Sequence, residues 1–233
     1  MNSMTKLFVI ACFVLTIISA CKHQMVAPGT SATPVPVINP GTGTAAGDTV
    51  CFNNEILPLY QSYCGSSGCH SSSSHKEGII LTDYFDIMKG IRANSPNSSK
   101  YYTAIGGKMP PKNSPQLTAL QKASILKWIN QSALNTTCNI TTCDSTKTTY
   151  SNGISALFST YCNGCHGVAP GSGNVVLSDY ASAKAAGTTL KTSFLNAINY
   201  TSASSAMNMP PGNQLSSCQI MQITKWINNG CPQ

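Results

Sequence analysis

The sequence predicts an all-α protein made of two tandem copies of one small helical unit, placed after an export signal and a flexible tether. Three observations predict it: the stretch around Ile56–Cys64 recurs 98 positions later, the apolar residues of both copies fall on helical stripes, and residues 22–50 carry no such periodicity.

The N-terminus comes first. After Met1–Lys6, with a single positive charge, runs LFVIACFVLTII, twelve residues from Leu7 to Ile18. A bilayer-spanning helix needs roughly 20. The run therefore reads as the apolar core of an export signal over residues 1–20, and Cys12 leaves with it. Ser19-Ala20-Cys21 resembles the lipobox of bacterial lipoproteins, which implies cleavage before Cys21 and its acylation as a membrane anchor. An ordinary secretory signal cut near Ala20 is the alternative. Lys22 follows where an acidic residue would resemble an inner-membrane retention signal, which leans the expected address towards the outer membrane. Residues 21–50 form the tether, rich in Pro, Gly, Thr and Ala, with His23 a linker residue. As a coil it spans on the order of 30 Å, enough to hold a folded body clear of lipid headgroups.

The repeat organises the rest. Ile56, Leu59, Tyr63 and Cys64 return as Ile154, Leu157, Tyr161 and Cys162 at an offset of 98, and Ile79–Tyr84 returns as Val175–Tyr180 at an offset of 96. The change of two lies between Cys64-x4-Cys69-His70 and Cys162-Asn-Gly-Cys165-His166. Lys108-Met109-Pro110-Pro111 matches Asn208-Met209-Pro210-Pro211, and Lys127–Asn130 matches Lys225–Asn228. The expected units are 51–138 and 143–233, joined by the four residues 139–142. In the first, residues 56, 57, 59, 60 and 63 form one stripe and Leu117, Leu120, Ile125, Trp128 and Ile129 another. Leu215, Ile220, Ile223, Trp226 and Ile227 repeat the latter in the second unit.

The second copy carries C-x-x-C-H, the attachment motif of c-type haem. Two thiols must reach two vinyl groups on one porphyrin edge, and the next residue must aim an imidazole at the iron. Alone, the motif could also be half a zinc site. A methionine follows 39 residues after His70 and 43 after His166, and a haem iron held by His needs a second axial ligand for which Met is common. The flanking prolines stiffen an extended loop able to present it.

Together, the duplicated C-(x2 or x4)-C-H and M-P-P elements resemble a dihaem cytochrome c built of two class I domains, over about residues 51–233. The resemblance implies a cytochrome c-like fold in each unit, with an N-terminal helix leading into the motif and a C-terminal helix crossing it. It implies two haem c groups, bound through Cys64 and Cys69, with His70 and Met109 axial, and through Cys162 and Cys165, with His166 and Met209 axial. In the x4 variant Gly65, Ser66, Ser67 and Gly68 are small enough to bulge outward, and His75 faces solvent. Cys51, Cys138, Cys143, Cys218 and Cys231 are then left over. Where the terminal helices of a class I fold meet, a Cys51–Cys138 bridge is expected. Cys143 pairs with Cys218 or, as second choice, Cys231; thirteen mostly helical residues separate Cys218 from Cys231 by up to roughly 20 Å, too far for a bridge. Zinc is the rival use of these thiols, but beyond His23 and His75 no histidine remains.

Eleven cysteines suit an oxidising compartment or a covalent cofactor, not a reducing cytosol. Only 9% of residues are charged, with a formal net of +7; eight basic and four acidic residues fall in the first unit, four and two in the second. These lysines either keep the surface soluble or favour an acidic redox partner. No basic stripe with interleaved aromatics points to nucleic acid. The reading is a single-electron carrier on the outer side of a bacterial membrane, in the cell envelope, with the enzyme question left open. Its alternatives are a dihaem enzyme of peroxidase or dehydrogenase type, with one iron lacking its Met, and a non-catalytic haem-containing envelope module.

Overall fold

The computed structural model describes residues 49–138 and 143–233. The expected export signal, Cys21, the expected tether up to residue 48 and the connector 139–142 lie outside the described residues; Val50, expected in the tether, is instead buried in the first core, its amide donating to Gln131 Oε1 at 2.9 Å. Among those described the protein is all helical, with no strand beyond one isolated bridge pair, Thr149 with Gly153. No described helix is long and apolar enough to cross a membrane.

The first half opens with a π-helical turn, Phe52–Ile56, that runs into α1, Leu57–Tyr63. Pro58 has no amide to donate back into the π-helical turn, and the Asn54 carbonyl accepts from Tyr161 instead. Three helices follow: α2, Tyr84–Met88; α3, Lys100–Gly106; and α4, Ala119–Asn130. The second half repeats them as α5, Ile154–Tyr161; α7, Tyr180–Thr189; α8, Lys191–Asn199; and α9, Ser217–Asn228, with one addition, the single turn α6, Asn163–His166. The same local chemistry starts the matching helices. Asp83 and Asp179 cap α2 and α7 by accepting from the amides of Asp86 and Ser182. Thr118 with Gln121, and Ser216 with Gln219, form capping boxes on α4 and α9.

Each half has its own core. Phe52, Ile56, Tyr60, Ile87, Ile125 and Trp128 centre the first; Ile154, Phe158, Ala183, Ile223 and Trp226 centre the second. The tryptophans are fastened alike, Trp128 donating to the Leu134 carbonyl at 3.0 Å and Trp226 to that of Pro232 at 2.9 Å. The repeated LxDY tyrosines do a second shared job: Tyr84 donates to the Ala133 carbonyl and Tyr180 to the Cys231 carbonyl, both at 3.0 Å, locking the segment after each last helix onto the core.

Disulfides close both halves. Cys51 is bonded to Cys138, Cα atoms 5.8 Å apart, and Cys143 to Cys218, Cα atoms 5.4 Å apart. Cys231 is a free thiol, and the second-choice Cys143–Cys231 bridge does not form. Its position matches Ala133, and its sulfur fills core space against Gly187, where a Cβ would meet it at 2.8 Å.

The halves also bind each other. Tyr63 donates to the Ser159 carbonyl at 2.9 Å and Gln121 to the same oxygen at 2.9 Å, while Tyr161 donates to the Asn54 carbonyl at 2.9 Å. The capping-box glutamines thus serve twice, since Gln219 in turn donates to the Tyr161 hydroxyl at 2.9 Å.

Candidate functional site

The attachment segments begin from one backbone scheme. The first cysteine of each motif donates its amide to the carbonyl four residues back, Cys64 to Tyr60 and Cys162 to Phe158, both at 2.9 Å. The histidine amide returns to that cysteine's carbonyl, at 3.0 Å for His70 and 2.9 Å for His166. The histidine carbonyl then accepts from the repeated leucine, Leu81 at 2.9 Å and Leu177 at 2.8 Å. Eleven residues of spacing are thereby converted into one closed frame in each half. The methionines are tethered alike, Met109 to the Ala104 carbonyl at 2.9 Å and Met209 to the Ala197 carbonyl at 3.0 Å.

Between the anchor points the halves differ. With two residues between its cysteines, the second motif closes as the helical turn α6, the Cys165 amide donating to the Cys162 carbonyl at 3.1 Å. With four, the first motif forms bends in which Ser67 and Gly68 face solvent, Gly68 at a φ of 81°. Serines replace the missing helical turn: Ser74 donates to the Cys69 carbonyl at 3.2 Å and accepts from the Gly68 amide at 3.1 Å. His75 is exposed, with Nδ1 3.2 Å from the Ser72 carbonyl.

Cys162, Cys165, His166 and Met209 line one cavity of ≈1890 Å³, walled by Phe158, Leu177, Phe194, Ile198, Leu215 and Ile223. The donor set and the apolar wall fit haem c, with two thiols and an imidazole on one short segment and a thioether on another. Burial pushes the Cys162 thiol up to about 12 and holds the His166 imidazole below its ordinary range, so both are neutral at pH 7. Nδ1 of His166 lies 3.1 Å from the Val175 carbonyl. As donor there, it turns Nε2, the other ring nitrogen, into a lone-pair ligand.

Cys64, Cys69, His70 and Met109 lie outside that cavity. Cys64 is packed into the first core, its thiol also pushed up to about 12 by burial and then by Cys69 nearby. His70 keeps its Nδ1 buried without a partner, and Met109 is 37% exposed. The fit to haem rests here on the shared backbone frame and the orphaned imidazole nitrogen. Among the described residues no group of three or more His, Cys, Asp or Glu side chains is placed to hold a metal ion.

Sequence reasoning missed the contact between the two attachment segments. The Gly164 amide donates to Ser62 Oγ at 3.0 Å, and Cys165 Sγ lies 3.7 Å from the Ser62 carbonyl. Only a glycine fits, because a Cβ at 164 would collide with that carbonyl. It also missed Tyr60 and Phe158, matched aromatics four residues before each motif, which the 98-residue offset could have paired.

Neither a curated protein nor a solved structure matches the chain. The family described as "Cytochrome C oxidase, cbb3-type, subunit III" matches residues 152–227, the segment that holds the four donors, and this supports a c-type cytochrome domain with haem-based electron transfer in the second half.

Proposed function

We propose that the chain is a dihaem c-type cytochrome, tethered to a membrane of the bacterial envelope through Cys21, that carries single electrons between redox partner proteins. The observation that carries this reading is the cavity that collects Cys162, Cys165, His166 and Met209. When bound, haem supplies a one-electron couple. Cys162 and Cys165 would hold it covalently, His166 and Met209 would ligate its iron, and the apolar wall would keep water from it. Cys64, Cys69, His70 and Met109 would supply the same four donors to a second haem in the first half. The Cys165–Ser62 contact, two residues from Cys64, supports passage of electrons between the halves. The lysine-rich first half suits an acidic partner.

An enzyme of peroxidase or dehydrogenase type is the second reading, favoured by one observation, the exposure of Met109. A single preparation tests both. Full-length protein made with haem c maturation should carry two covalent haems by mass and pyridine haemochrome, sit in the membrane fraction until Cys21→Ser releases it, and bind carbon monoxide slowly or not at all. A mass of apoprotein plus one haem removes the first site. Rapid stoichiometric carbon monoxide binding at one haem puts the enzyme first.

A further inference from the structure

We infer that Tyr200 is a positioning residue for Met209: by fastening the loop beside that methionine to the end of α8, it keeps the thioether aimed into the cavity and sets how readily the ligand lets go. The inference rests on Met209 being the axial ligand proposed for the second half.

The last carbonyls of a helix have no amide of their own helix to accept from. At the end of α8 the methionine loop supplies donors for them. The Met209 amide donates to the Ala197 carbonyl at 3.0 Å, and the Gln214 side-chain nitrogen reaches the Ile198 carbonyl at 3.4 Å from the loop's other end. The chain leaves the helix through Tyr200, at φ 60° and ψ 35°, with the Thr201 amide donating to the Asn196 carbonyl at 2.9 Å. That left-handed position is one that glycine ordinarily fills, because a Cβ there crowds the backbone. What tyrosine adds is its hydroxyl, which donates to the Pro210 carbonyl.

Met209 is thus held at its own amide and at the carbonyl of the next residue, both from the end of one helix. The ring of Pro210 locks its φ, so the two bonds leave the stem of the methionine little room to swing. Met209, Pro210 and Pro211 line the cavity, and Tyr200 stands outside it, half-buried. Its hydroxyl therefore acts through the loop.

The first half holds its loop differently. The Met109 amide has the matching bond to Ala104, but the Pro110 carbonyl accepts from Gln116 at 3.2 Å, and Gln116 also donates to the carbonyls of Pro111 at 2.8 Å and Ser114 at 2.9 Å. That loop is closed on itself. In the second half the matched glutamine, Gln214, is drawn to Ile198, and the carbonyl beside the methionine is taken by the tyrosine.

Tyr200→Phe, which keeps the ring and removes the hydroxyl, tests this in the full-length protein. With haem loaded, the weak charge-transfer absorption of Met-ligated ferric haem should fall, and carbon monoxide should bind the reduced second half about fivefold faster, the population change expected from one lost hydrogen bond. In the apoprotein the Met209 amide should exchange its hydrogen faster while the core amide of Ile223 keeps its rate. Tyr200→Gly, better suited to that backbone, should weaken the band as far. Met209→Ala should abolish the second half's share of the band, and Tyr200→Phe added to it should change nothing further. Faster exchange at Met209 and Ile223 alike with the band intact, or a band retained in Tyr200→Gly, overturns the inference. So does an effect of Met209→Ala that Tyr200→Phe fails to reproduce in part, with the ligand reading left standing. A spectrum unmoved by Met209→Ala removes the ligand reading itself.

Discussion

The second half closes its attachment motif with a helical turn, and the first closes the same frame with serine side chains. In α6 the backbone bonds itself from Cys162 to His166. In the first half two more residues break that turn, and Ser74 takes over by bonding both the Cys69 carbonyl and the Gly68 amide. Yet the histidine-to-cysteine and leucine-to-histidine bonds differ by only 0.1 Å between halves. A two-residue insertion is therefore absorbed where backbone is exposed, while the bonds that aim the histidine are kept. The surroundings diverge more than the frames: one histidine is bonded through Nδ1 and the other is not, and the residue four before the motif is Phe158, on the cavity wall, in one half and Tyr60, sealed in the core, in the other.

The largest expected effects break the comparison at the cores. Trp128→Ala and Trp226→Ala each remove a buried indole and its bond to the following segment, so each should cost about 3–5 kcal/mol in urea denaturation. Equal losses support equivalent halves, and a silent Trp128→Ala would mean that the first core carries no comparable load.

Next come the attachment segments. Gly164→Ala drives a methyl into the Ser62 carbonyl and should cost about 1–3 kcal/mol as overpacking, with Ser62 and Gly164 amide signals shifting together in spectra of the labelled protein. Gly68 has no atom within 4 Å of a built Cβ but sits at a φ of 81°, so Gly68→Ala should cost only about 1 kcal/mol of backbone strain. Reversal of that order would show the contact between the segments to be slack.

The smallest effect is at the helix starts. The Ser182 amide holds the Asp179 carboxylate below its usual range, so the unfolded chain takes up a proton before the folded one does. The cap contributes fully above about pH 4 and is lost as pH falls below it. Asp179→Asn, which keeps an acceptor, should flatten this part of the acid dependence of the melting temperature while changing stability little at neutral pH.

Much of this was legible in sequence because it is local. The 98-residue offset marks which residues do the same work, and C-x-x-C-H states a covalent geometry within five residues. What depends on separation was not legible. Whether Cys231 forms a bridge turns on the space beside Gly187, 44 residues away, and whether His70 finds an acceptor turns on the path of the bends between Cys69 and Ile79. Gly164 reads as a motif filler until Ser62, 102 residues earlier, is packed against it. Spacing along the chain determined which groups could reach a common frame; tertiary packing decided which atoms were left without partners, because an acceptor's position is a property of the folded backbone and not of its sequence neighbours.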